Sequence, residues 1–132
     1  FTHGSLTKGH INYDSDTGKV QVQGGELSYC VALEGYDFVD CNIKGELMIC
    51  DIFGGTIESS DIIDCNFYNH AKLKSSKLKS CYINKTVLLE DCYVFGNGVM
   101  KGTMKNGIFR EGRYDKQEAR FKGAEKIKYI EI

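Results

Sequence analysis

Asp51, Asp61 and Asp64 come nearest to a reactive arrangement, since clustered carboxylates can serve as acid and base in glycoside cleavage. Six cysteines, Cys30, Cys41, Cys50, Cys65, Cys81 and Cys92, offer a second chemistry. An even count reads as disulfides in a secreted chain and as metal ligands in other settings. Their spacings of 11, 9, 15, 16 and 11 contain no C-x2-C pair and match no zinc framework, so no metal is expected. Asp14-Ser15-Asp16-Thr17-Gly18 begins like a calcium loop but lacks the third acidic ligand and the distal bidentate glutamate. Gly18-Lys19 lacks the upstream glycine and strand-loop-helix frame of a phosphate loop. His3, His10 and His70 are scattered, and no motif joins one of them to a cysteine or serine nucleophile. Asn84-Lys85-Thr86 has the form of a glycosylation sequon, with Thr86 expected to point inward. No catalytic residue, metal ligand or cofactor is expected from these groups.

What would position such residues is decided by period. In the stretch AKLKSSKLKSCYINKT, residues 71–86, the apolar side chains Leu73, Leu78 and Ile83 stand five apart. A helix brings apolar residues round at three or four, and a strand at two. The step of five extends both ways, through Leu33, Phe38, Ile43, Leu47, Ile52, Ile57, Ile62 and Phe67 before it and Leu88, Val94, Val99, Met104, Phe109 and Tyr114 after it. Three breaks in register interrupt the series. Two residues before each of these sites, from Cys41 onward, stands a small one in nearly every case: Cys41, Gly45, Cys50, Gly55, Ser60, Cys65, Ala71, Ser76, Cys81, Thr86, Cys92, Asn97, Gly102, Gly107 and Gly112. A large plug with a small neighbour two before it describes a chain that turns a corner every five residues, both special positions facing inward.

The 132 residues, 42% apolar and 27% charged, suit one soluble domain. Fifteen glycines and no proline favour a continuous backbone ladder that never gives up a donor. No run approaches the roughly 20 apolar residues of a membrane span, and no leader pattern opens the chain. It starts at Phe1, so a processed product or the tail of something longer is expected.

Cys41-Asn42-Ile43, Cys50-Asp51-Ile52, Ser60-Asp61-Ile62 and Cys65-Asn66-Phe67 resemble the pentad of the pentapeptide-repeat proteins, a small residue, often Asp or Asn, then Leu or Phe and two polar residues. After Ala71 lysine, tyrosine or valine replaces the Asp or Asn. GTMKNGIFREGRY, residues 102–114, is similar to glycine-rich pentad arrays in structural proteins of large tailed bacteriophages. The resemblance implies an all-β, right-handed, single-stranded β-solenoid with four pentads per coil. About four coils at the ~4.8 Å strand spacing would give a body roughly 20 Å long. In that frame Cys41 and Cys81 share a column, as do Cys50 and Cys92, in each case two coils or ~9.6 Å apart, so free buried thiols in a reducing cytosol are expected.

Three segments are expected: an N-terminal hairpin cap over 1–26, the solenoid over 27–119, and a C-terminal strand or cap over 120–132. HINYDSDTGKVQVQ, residues 10–23, alternates about an Asp/Ser/Gly turn as a hairpin does, and EKIKYIEI, residues 125–132, alternates as a strand that closes or extends the far end.

The formal charge of −1 hides a gradient, −1 over residues 1–30, −7 over 31–67 and +7 over 68–132. The candidate interaction residues are therefore the acidic Glu34, Asp37, Asp40, Glu46, Asp51, Glu58, Asp61 and Asp64, and the basic Lys72, Lys74, Lys77, Lys79, Arg110 and Arg113. An acidic end and a basic end on one rod favour docking through the ends, onto a protein partner or another copy. The expected function is a non-catalytic structural or protein-interaction module, a virion or assembly component of a large tailed phage, located in the host cytoplasm or the virion. No membrane partner is expected, and nucleic acid is disfavoured. Two alternatives remain. The resemblance implies one, a DNA-mimicking inhibitor of a type II topoisomerase or other DNA-binding enzyme. The other is a carbohydrate-binding or depolymerising β-helix, which rests on Asp51, Asp61 and Asp64 and on being a solenoid alone, and the pentad frame puts Asp51 and Asp61 on different faces.

Overall fold

The computed structural model describes residues 5–32 and 35–132, with Ser5, Tyr29 and Cys30 described in backbone only. Phe1, His3, Leu33 and Glu34 lie outside the described residues. The chain opens with six strands, β1 (Ser5–Thr7), β2 (His10–Tyr13), β3 (Val20–Gln23), β4 (Glu26–Ala32), β5 (Tyr36–Val39) and β6 (Asn42–Met48). Beyond them the strands are two or three residues long and fall into parallel columns. Wall one carries residues 42–44 of β6, then Thr56–Glu58, Lys72–Lys74, Leu88–Glu90, Thr103–Lys105 and Arg120–Lys122. Wall two carries residues 46–48 of β6, then Asp61–Ile63, Lys77–Lys79, Tyr93–Phe95, Ile108–Arg110 and Glu125–Ile127. Wall three runs from β3 and β5 through Asp51–Phe53, Asn66–Tyr68, Tyr82–Ile83, Val99–Met100 and Arg113–Tyr114 to Ile130–Glu131.

The result is a parallel β-solenoid with three walls and about seven turns. The expectation of four pentads per coil, and hence four coils, is corrected by register. Asp37 pairs with Asp51, Asp51 with Asn66, Asn66 with Tyr82, Tyr82 with Val99, Val99 with Arg113 and Arg113 with Ile130, so a turn takes 14 to 17 residues. Three pentads close it. Seven turns at ~4.8 Å make the stack about 34 Å long, not 20.

Each corner has a local cause. The residue before the small one takes a left-handed backbone, with φ of 52° at Asp40, 49° at Ser59, 53° at Asp64, 52° at Ser75, 57° at Ser80 and 59° at Asn106. Asp, Asn and Ser tolerate that region better than most side chains, because their short polar groups bond locally. The N–H of the small residue then points along the inside corner. Ser60 donates its N–H to Ser76 Oγ at 3.1 Å, Gly45 to Ser60 Oγ at 3.0 Å, and Cys50 to Cys65 Sγ at 3.4 Å. Small residues bearing a hydroxyl or thiol are therefore favoured where a bare methyl would leave a buried donor unpaired.

The plugs Phe38, Ile43, Leu47, Ile52, Ile57, Ile62, Phe67, Leu73, Leu78 and Ile83 are all buried, as the step of five requires. Further on the frame slips by one. Leu89 and Met100 fill the core in place of Leu88 and Val99, and Val87 and Gly98 take the inward corners expected for Thr86 and Asn97. One extra residue sits in the turn at 84–86, a pentad before the point where the frame places it; the frame is back in step at Val94, and a second extra residue at the bend around 96–97 moves the next plug from Val99 to Met100. Both members of each plug pair are apolar, so the step alone does not choose between them.

At the N-terminal end β2 and β3 form the expected hairpin, and β1 pairs antiparallel with β4, laying Leu6 against the core. Asp14 closes the hairpin turn, its Oδ1 accepting the Asp16 N–H at 2.9 Å and its carbonyl accepting the Gly18 N–H at 2.8 Å. At the other end the final turn continues all three columns and places Phe121, Lys126 and Glu131 in register with Met104, Phe109 and Tyr114.

Candidate functional site

The walls disperse the charged residues singled out above. Glu58, Lys72 and Lys74 stand on wall one, Glu46, Asp61, Lys77, Lys79 and Arg110 on wall two, and Asp37, Asp51 and Arg113 on wall three. Asp40 and Asp64 occupy corners. The three aspartates that could serve glycoside chemistry are thereby divided, Asp51 on wall three, Asp61 on wall two and Asp64 at the corner between them. The acidic and basic segments meet in register, since Glu58 pairs with Lys74 and Asp61 with Lys77.

Part of the acidic surface is neutralised from the hairpin. Lys19 Nζ lies 3.3 Å from Asp37 Oδ1 and 3.2 Å from Asp51 Oδ2, spanning two rungs of wall three. Hydrogen bonds to Asp51 and then Asp37 hold its ammonium above the ordinary lysine range. Asn66 Nδ2 donates to Asp51 Oδ1 at 2.9 Å, so this carboxylate is held from both sides. Wall three also carries outward rings, Phe53 stacked on Tyr68 at 5.3 Å and Tyr68 tilted to Tyr82 at 5.8 Å, with Lys101 Nζ 5.7 Å from the Tyr82 centroid.

Cys41, Cys50, Cys65, Cys81 and Cys92 are buried thiols. The distance argument for free thiols fails for three of them. Cys50, Cys65 and Cys81 precede in-register strands and stack one rung apart, about 4.8 Å, inside bridging range. In-register side chains run alongside each other instead of converging, which is poor geometry for a bridge. Each thiol points at the carbonyl two residues before it, Cys41 at Val39, Cys65 at Ile63 and Cys81 at Lys79, with distances of 3.3 to 3.4 Å. Burial pushes Cys41 up to about 11 and Cys81 up to about 12, and it also raises Cys92. These are poor nucleophiles at neutral pH.

Wall two holds what the sequence pattern does not reveal. A surface trough of about 360 Å³ runs along the solenoid axis, with Met48, Ile63 and Phe95 on one lip and Glu46, Asp61 and Lys77 on the other. The pentad frame treats outward positions as uniformly polar. The signal lies in apolar residues standing immediately after the plugs Leu47, Ile62 and Val94. Next to this trough Ile49, 47% exposed, takes a left-handed corner at φ 55°, where most other corners use Asp, Asn, Ser or Gly.

Fold and surface together define an all-β parallel β-solenoid of pentad-like steps. No protein-family model matches the chain, and no curated protein matches it. Among solved structures it is similar to a pentapeptide-repeat protein of the cyanobacterium Cyanothece 51142, at 13% identity over 85% of this chain and 88% of that one, with a TM-score of 0.21. A superposition that poor carries no argument, and the architecture rests on the strand register.

Proposed function

We propose that this solenoid is a non-catalytic structural or protein-interaction module that docks through its ends within a larger assembly. The observation that supports it is β2, an edge strand exposed along its whole length, with Ile11 56% and Tyr13 68% exposed. An open edge with apolar side chains is a template for strand addition. The opposite end also presents apolar groups, Tyr129, Ile130 and Ile132, among the basic Lys122, Lys126 and Lys128. The glycine-rich pentads of residues 102–114 favour a virion component of a large tailed phage, and the handedness rule for parallel crossovers favours right-handed winding. Neutralisation of Asp37 and Asp51 by Lys19 counts against the DNA-mimic reading.

Sedimentation of the chain at rising protein concentration tests this reading. Open-ended growth is expected that recedes as salt is raised and stops when Ile11→Asp and Tyr13→Asp are introduced together. Inhibition of a type II topoisomerase in a supercoiling assay, or release of reducing ends from a polysaccharide, would replace the reading with one of its rivals.

A further inference from the structure

Over the six rungs from Val31 to Ile108, the outward residues of wall two form a sequence that complements its own reverse. In the column before the plug they run Val31, Glu46, Asp61, Lys77, Tyr93 and Ile108, rung by rung. In the column after it they run Met48, Ile63, Lys79 and Phe95, with Arg110 at the outer end of the patch beside Ile108. A two-fold axis along the strand direction, midway between the Asp61 and Lys77 rungs, lays a second copy face to face with each column opposite itself and the rung order inverted. Asp61 then meets Lys77, Glu46 meets the Tyr93 hydroxyl, and Val31 meets Ile108. In the other column Met48 meets Phe95, and Ile63 meets the aliphatic stem of Lys79.

We propose that wall two is the interface of an antiparallel homodimer, with the trough filled by a second copy of this chain. Charge complementarity selects this occupant. The trough is acidic at Glu46 and Asp61 and basic at Lys77 and Lys79, and its apolar lip is carried by Met48, 38% exposed, with Ile63 and Phe95. A partner must present the opposite order of charge with apolar groups alongside, and wall two turned end for end does so. Every contact occurs twice, as an isologous interface requires. Glu46, Asp61, Lys77 and Lys79 take part in none of the ion pairs recorded among the described residues, and Arg110 at the edge of the patch keeps its pair with Glu111, so pairing across the interface breaks none of those.

The size of the patch sets the strength. Six rungs at ~4.8 Å extend about 24 Å and expose some ten or twelve side chains per copy, fewer than the 20–30 of a standard interface, so a dissociation constant of order micromolar is expected. The proposal concerns a side wall and does not depend on docking through the ends.

Sedimentation equilibrium of the full chain carrying Ile11→Asp and Tyr13→Asp, which stop growth through the ends, tests it with Asp61→Lys and Lys77→Asp added in turn, both at exposed positions. The end-blocked chain is expected to dimerise and each added variant alone to weaken the dimer at least tenfold, two like-charge contacts replacing two opposite ones. An equimolar mixture of the two variants is expected to restore a heterodimer, because the lysine introduced in one chain then faces the aspartate introduced in the other. Circular dichroism and melting of each variant establish that the fold persists. An end-blocked chain that stays monomeric to hundreds of micromolar, charge variants that dimerise normally, or a mixture that remains monomeric overturns the proposal. In the chain without the end block, growth that is blind to both charge substitutions but sensitive to Ile11→Asp and Tyr13→Asp overturns it too, and leaves end docking standing.

Discussion

The Lys126 ammonium lies 5.0 Å from the centroid of the Tyr114 ring, one rung past the last apolar plug of its column. The same nitrogen is 5.0 Å from Phe121 and 5.1 Å from Tyr129, and Tyr114 donates its hydroxyl to Glu131 Oε1 at 2.6 Å. The last turn thus sets a cation and an anion where earlier turns set isoleucine and phenylalanine, and aromatic faces pair with the cation. Replacing Lys126 with Ala is expected to cost about 1–2 kcal/mol, read as a lower urea midpoint. Lys126→Met keeps most of the packing and removes the charge. If Met matches Lys in stability, the cation–π contribution is absent.

The buried thiols make the fold sensitive to alkali. Burial raises Cys41 to about 11 and Cys81 to about 12, above the ordinary thiol value of 9.0 that holds in the unfolded chain. Above pH 9 the unfolded state releases these protons and the folded state keeps them, so unfolding becomes easier as pH rises. Stability is therefore intact below about pH 9 and falls toward pH 11–12, by about 1.4 kcal/mol per pH unit for each such thiol. Urea midpoints from pH 7 to 10.5 measure the slope. Cys81→Ala should reduce it, and an unchanged slope would mean that other groups cause the loss.

How much of this was legible depended on which degrees of freedom a one-dimensional period can encode. The spacing of Leu73, Leu78 and Ile83 established a chain turning every fifth residue, because plug and small neighbour are local features. The number of walls is not local. It is set by whether Asp51 pairs with a residue 15 or 20 positions on, and every pentad looks the same in either case until Asp51 is seen beside Asn66. The same ambiguity reached the cysteines: a four-walled coil puts Cys41 with Cys81 and Cys50 with Cys92 two coils apart, whereas three walls stack Cys50, Cys65 and Cys81 one rung apart. The slip at Leu88 and Leu89 arose from two adjacent apolar residues beside a turn. The trough on wall two went unseen because its members, Met48, Ile63 and Phe95, are 15 and 32 residues apart and form a row only once the turn length is known.

Glycine at position 107 is imposed by neighbouring backbone. A Cβ there would lie 2.2 Å from the Cys92 carbonyl oxygen, and φ is +81°. Gly18 shares a positive φ, +71°, but faces open space. Gly18→Ala should therefore cost only the backbone strain, about 1 kcal/mol, and Gly107→Ala the strain plus a displaced rung, about 2–4 kcal/mol. Thermal melts of the two variants, compared directly, isolate the effect of the close approach. Equal losses would show that the rungs yield to a methyl group without resistance.

Ile49 presents the opposite case, a residue that its backbone does not favour. A β-branched side chain at φ 55° crowds its own carbonyl, a cost of roughly 1–2 kcal/mol that asparagine largely avoids. The side chain is 47% exposed, so the burial of its other half offsets only part of that cost in the monomer. Ile49→Asn should thus stabilise the isolated chain by about 1 kcal/mol, raising the midpoint of thermal unfolding by a few degrees. The measurement belongs at low protein concentration, where association makes no contribution to the midpoint. A loss of stability under those conditions would mean that the buried half of Ile49 outweighs the strained corner.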